Sequence, residues 1–123
     1  MNKNKASTMN EIHLFMDTIK INLPKGFIEF YKKHNGGEII GVEKYTVLWS
    51  LAEMTQMNID YNVEFFAPEF FLFGSDGGGT AFAIEKISGY IFEIPFVGMS
   101  KDDAVFLSKD FDNFVEIQST SKF

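Results

Sequence analysis

The chain has no cysteine. That excludes a disulfide scaffold, a thiol nucleophile and a thiolate metal site. It also has no arginine, so every cation outside the two histidines is one of eleven lysines. The planar guanidinium fork is the preferred tool for reading phosphates and base edges, and its absence counts against a nucleic-acid partner. No apolar run approaches the roughly 20 residues that a membrane-spanning helix needs. The opening "MNKNKASTMNEIHLFMD" carries lysines but no uninterrupted apolar segment after them, which argues against a signal peptide. Together these absences lead to the expectation of a soluble, cytoplasmic protein with neither a membrane nor a nucleic acid as partner.

What is present suits one domain. The chain has 123 residues, 46% of them hydrophobic and 16% aromatic, and 15 are Phe. A domain of this size buries roughly two-thirds of its unfolded surface, so an aromatic-rich core is expected. The formal charge is −6, unevenly spread. Residues 1–34 hold six lysines against three acids, and the rest hold five lysines against fourteen acids. Two readings stay open. An acidic face attracts a basic partner and speeds encounter, or the excess of carboxylates only keeps the protein soluble.

The pattern along the chain is α+β. Thr8 and Glu11 form a capping box, followed by Ile12, Phe15, Met16 and Ile19 at helical spacing. Pro24 suits a second helix start. Phe27, Phe30 and Tyr31 share that helix's face, Lys32, Lys33 and His34 lie in its last turn, and Asn35-Gly36-Gly37 ends it. A turn near Gly41 to Lys44 precedes a strand from Tyr45 to Trp49. Ser50 and Glu53 form a second capping box, opening a short inserted helix with Leu51, Met54 and Met57 inward. "NIDYNVEFFAPE" reads as a long irregular connection. Strands follow at Phe70 to Gly74, Thr80 to Glu85 and Tyr90 to Pro95, with Tyr90, Phe92 and Ile94 on one face and Glu93 on the other. Short Gly-, Ser- and Asp-rich links make them an antiparallel meander. A closing helix has Ser108 as N-cap, Asp110 and Asp112 in its first turn, and Phe111, Phe114 and Val115 inward. The expected organisation is a flexible tail over 1–8, a single domain over 9–118 and a C-terminal tail over 119–123. Within it, two N-terminal helices precede a mostly antiparallel sheet with a short inserted helix, and a helix closes the chain.

The stretch "FLFGSDGGGTAFAIE" is the one that resembles a phosphate loop. Gly74 and Gly79 have P-loop separation, but Thr80 stands where the lysine must be. "TAFAIE" is β-like, so the helix N-terminus that would hold an anion is missing. A dinucleotide fingerprint would need glycine at Phe82. Gly77, Gly78 and Gly79 after Asp76 read instead as a structural hairpin turn. Other chemistry is equally sparse. His13 and His34 match no zinc spacing, Ser75 lies in no nucleophile elbow, and Asp102-Asp103 with Asp110 and Asp112 lack the calcium-loop pattern. No catalytic residue, metal or cofactor is expected. Trp49 is a core residue or an interface anchor.

The runs "LPKGFIEFYKKHNGG", "LWSLAEM", "FFLFGSDGGGTAFAIE" and "LSKDFDNFVE", in that order, resemble the SUKH superfamily, the Smi/Knr-like proteins. The similarity spans about residues 10 to 117, although "VGMSKDDAVF" carries no feature of it. The resemblance implies an α+β domain without known catalysis, and for bacterial members an immunity protein. Such a protein sits in the cytoplasm and neutralises a cognate toxin, a nuclease for example, by direct binding, with the toxin encoded nearby. A regulatory or scaffold module related to cell-wall assembly regulators is the alternative. If an acidic face does the binding, the candidates are Asp60, Glu64, Asp76, Asp102 and Asp103, because they cluster in the connections where binding residues concentrate.

Overall fold

In the computed structural model, which describes residues 2–120, one antiparallel sheet organises the chain. Its strands run in sequence order: β1 (Asn2–Lys3), β2 (Gly37–Ile40), β3 (Tyr45–Leu48), β4 (Phe70–Ser75), β5 (Thr80–Glu85), β6 (Ile91–Pro95) and β7 (Val105–Ser108). Helices α1 (Met9–Thr18) and α2 (Phe27–Lys33) lie between β1 and β2, and α3 (Leu51–Asp60) and α4 (Val63–Phe66) between β3 and β4. A 3-10 turn (Lys101–Asp103) precedes β7, and α5 (Phe111–Thr120) closes the chain.

The central strands explain their own composition. Phe70 to Gly74 and Ala81 to Ile84 are buried throughout, because both faces of the sheet are covered. An unbroken apolar run, rather than strict alternation, is what such strands require. On one face α1, α2 and α5 pack their aromatic stripes onto the sheet. Phe15 meets Phe71 with ring centroids 5.9 Å apart, Phe27 stacks on Tyr31 at 4.7 Å, and Phe114 meets Phe73 at 5.4 Å and Phe82 at 5.2 Å. Phe70, Leu72, Phe92 and Ile94 point to the other face, where Phe70 meets Phe92 at 5.3 Å, and nearby Phe96 packs against Trp49 and Tyr61. Trp49 is 5% exposed, a core residue.

Both predicted capping boxes close. Thr8 accepts from Glu11 N–H while Glu11 accepts from Thr8 N–H, and Ser50 and Glu53 do the same. At the end of α2, Gly36 has φ +90°, and a Cβ there would overlap the Leu48 carbonyl. Only glycine fits where the chain enters the sheet.

Several expectations need correction. Residues 2–3 are not a loose tail. Asn2 pairs with Glu38 and Lys3 with Gly37, and Asn4 N–H donates to Gly36 O at 3.1 Å, so this segment covers an otherwise open sheet edge. The segment from Asn58 is not irregular. It completes α3 and, after Asn62 in the left-handed region at φ 54°, makes the single turn α4. The second helix starts at Phe27 rather than at Pro24, whose carbonyl instead accepts from Phe27 N–H at 3.1 Å. Ser108 ends β7, and it is Asp110 whose carboxylate caps α5 by accepting from Asn113 N–H at 2.7 Å. "VGMSKDDAVF" holds the 3-10 turn and the start of β7, whose register against β6 shifts at Ile91/Phe92. In the helical stripe, Met16 is 47% exposed. Helix α5 runs through Thr120, and the rest of the expected C-terminal tail lies outside the described residues.

Candidate functional site

The five candidate acids occupy distinct settings. Asp60 is the last residue of α3 and accepts from Gln56 Nε2 at 2.7 Å. Glu64 lies on α4, where its carboxylate pairs with Lys86 Nζ at 2.9 Å. Neither is in a loop, because the chain that the sequence left irregular is helical here. Asp76 sits in the β4–β5 connection and is a turn builder. Its Oδ1 accepts from Gly78 N–H at 2.8 Å and Thr80 N–H at 3.2 Å, and its own N–H donates to Thr80 O at 3.0 Å. Asp102 and Asp103 are exposed in the 3-10 turn, where Asp102 N–H donates to Ser100 Oγ at 3.2 Å.

The glycines beside Asp76 have unequal roles. Gly77 has φ +81°, and a Cβ there would stand 2.9 Å from the Tyr45 ring. Gly79 has an ordinary φ and open space around its Cβ direction. The turn therefore requires glycine at its first position, and the backbone groups around Asp76 are already used in closing the hairpin. Asn35 also does more than end α2. Its Oδ1 accepts from Leu51 N–H at 2.9 Å, tying that corner to the start of α3.

The structure brings Asp60 and Glu64 together at the α3–α4 corner, along the chain segment that continues to Glu69. The Lys101 neighbour of Asp102 lines a groove of about 450 Å³ with Pro68, Glu69, Lys86 and Ile87, which sets the 3-10 turn on the same side. Asp76 stands apart, in a shallow cleft of about 440 Å³ with Glu43, Tyr45, Phe82 and Glu93. There the Tyr45 hydroxyl donates to Glu38, and that hydrogen bond holds the phenol proton and raises its pKa.

Nothing in the sequence pattern points to what lies between Asp60 and Glu69. Phe65 is 74% exposed and Phe66 53% exposed, with ring centroids 5.0 Å apart in edge contact. Ile59 and Tyr61 add 66% and 39% exposure beside them. Val63 and Ala67, buried at 2% and 0%, pin the turn from below. On the inner side of α4, a groove of about 530 Å³ opens between α1 and α3, lined by Ile19, Ile21, Ile59, Val63 and Phe71. Phenylalanines in a chain this rich in them read as core, so only the turn geometry reveals this pair as surface.

Among the described residues, no group of three or more His, Asp or Glu is placed to hold a metal ion. His34 packs on Phe30 at 5.5 Å, and His13 is exposed on α1. No described helix is long and apolar enough to cross a membrane.

Compared with known proteins, residues 7–117 match the SMI1/KNR4 family, SUKH-1. No curated protein matches the chain.

Proposed function

The chain belongs to the SMI1/KNR4 family (SUKH-1), and we propose that it is a non-enzymatic cytoplasmic immunity protein that neutralises a cognate toxin by direct binding. The observation that carries this reading is the family match, which spans residues 7–117 and so nearly the whole chain. Within that family, the resemblance of the bacterial members to immunity proteins supplies the role. The surface chemistry agrees with it. The net charge of −6 and the absence of arginine suit a partner that is itself basic. A toxin that acts on a polyanion, such as a nuclease, carries that kind of surface. A stable complex needs roughly 1,200–2,000 Å² of buried surface, and exposed aromatic side chains are the groups that most often anchor one.

The test is rescue. Cells expressing the toxin domain from the adjacent reading frame survive when this protein is co-expressed and die without it. Survival that does not depend on this protein, or death despite its expression, contradicts the reading. Pull-down of a cell-envelope or signalling protein in place of the toxin would move the assignment to a regulatory module.

A further inference from the structure

We propose that the Phe65–Phe66 pair, with the carboxylates of Asp60, Glu64 and Glu69 around it, is the docking surface for a basic protein partner. The proposal rests on the immunity reading and says where on this chain the toxin binds.

The first support is the exposure of the pair. Phe65 and Phe66 are 74% and 53% exposed, and each ring's nearest aromatic neighbour is the other. An aromatic pair ringed by charged groups is the usual make-up of an interface anchor and its rim. The second support is rigidity. Val63 and Ala67 are buried below the pair, Ala67 N–H donates to Val63 O at 2.8 Å, and Phe70 N–H donates to Ala67 O at 3.0 Å. Glu64 is tied across to Lys86 on the β5–β6 connection. The rings are thus presented on a fixed platform, which lowers the ordering cost of binding.

Charge selects the occupant. The segment from Asp60 to Glu69 carries three carboxylates and no cation; of the lysines lining the grooves beside it, Lys86 pairs with Glu64, Lys101 shares its groove with Glu69 and Glu85, and Lys20 lines the inner groove with Glu64. A second copy of the chain would bring this same patch against itself across a two-fold axis, setting carboxylates against carboxylates. A nucleic acid or an anionic lipid surface is repelled for the same reason. A protein with a basic rim around an apolar recess satisfies both parts of the patch.

The experiment uses the full chain and the purified toxin domain of the adjacent reading frame. Phe65→Ser/Phe66→Ser is expected to keep its circular dichroism spectrum and to bind about 30-fold more weakly or worse, since a hot-spot aromatic carries at least that factor. Val42→Ser removes a 59% exposed apolar side chain from the β2–β3 turn and should bind as wild type. Asp60→Lys/Glu69→Lys should slow association several-fold and flatten its salt dependence. This second variant keeps the test open if the first does not fold. A folded Phe65→Ser/Phe66→Ser that binds as tightly as wild type overturns the surface while the immunity reading stands. Unchanged association and salt dependence for the charge-reversed variant do the same. If wild type itself neither binds nor rescues, both fall. A wild-type dimer that Phe65→Ser/Phe66→Ser converts to monomer overturns the proposal in favour of a second copy.

Discussion

Asn58 and Leu72 are joined by two hydrogen bonds that stand in for a missing strand. Strand β3 pairs with β4 only at Val47↔Ser75 and Leu48↔Gly74, and Trp49 N–H extends the ladder to Phe73 O. One step on, the Leu72 edge of β4 has no strand beside it. The Asn58 amide on α3 takes that place, donating to Leu72 O at 2.9 Å and accepting from Leu72 N–H at 2.9 Å. Leu72 is fully buried, so these groups have no water to turn to. Asn58→Ala should therefore cost about 2–3 kcal/mol, the cost of orphaning buried backbone groups. Asn58→Asp should fare no better, because it sets a carboxylate oxygen against the carbonyls of both Met54 and Leu72. Urea denaturation reads the loss, and amide exchange at Leu72 should quicken with it.

Asn58 also shows why the sequence was legible in some places and not in others. Local signals held. Thr8 with Glu11 and Ser50 with Glu53 cap helices because the reciprocal hydrogen bonds lie within four residues of chain. The meander from Phe70 to Pro95 follows from apolar runs cut by glycine turns. The α+β class follows from the two together. Two local readings slipped by two or three residues, Pro24 to Phe27 and Ser108 to Asp110, and the larger failures depended on distant partners. Nothing near Asn58 in the chain signals that its amide faces a strand edge fourteen residues on, and the sequence alone reads the end of α3 and all of α4 as an irregular connection. Residues 2–3 pair only because β2 leaves an edge open. The candidate site suffered in the same way. Asp60 and Glu64 read from the sequence as acids of a loop connection, whereas Phe65 and Phe66 are exposed only because a single helical turn leaves them outside.

The hairpin at Asp76 gives a paired test. Gly77→Ala places a methyl against the Tyr45 ring at a positive φ and should cost about 1–2 kcal/mol. Gly79→Ala has neither problem and should stay within about 0.5 kcal/mol of wild type. Equal effects at the two positions in thermal melts would contradict this account of the turn.

Tyr31 ties α2 to the end of β3 through a buried hydrogen bond, its hydroxyl donating to Trp49 O at 2.7 Å. Burial, with the Glu53 carboxylate adding to it, raises the Tyr31 pKa well above 10.0. The unfolded chain releases this proton near pH 10 while the folded chain keeps it, so stability from this group is complete below that pH and falls above it. Tyr31→Phe should cost about 1–3 kcal/mol at pH 7 by orphaning the Trp49 carbonyl. Its stability should then decline less steeply than wild type above pH 10, which denaturation from pH 8 to 11 would reveal.

The ion pair of Glu64 with Lys86 should matter little to folding. The Glu64 side chain is 82% exposed, and pairs so open to water contribute at most about 1 kcal/mol. Lys86→Ala should shift the urea midpoint only slightly, and less at high salt.

The proposed action is inhibition by surface binding without turnover. It is tested most directly by titrating a fixed amount of the toxin domain with this protein and assaying what toxin activity remains. Toxin activity should fall linearly to zero at one equivalent, with intact, active toxin recovered when the complex is dissociated. Complete loss at a small fraction of an equivalent, or activity untouched by an excess, would contradict it.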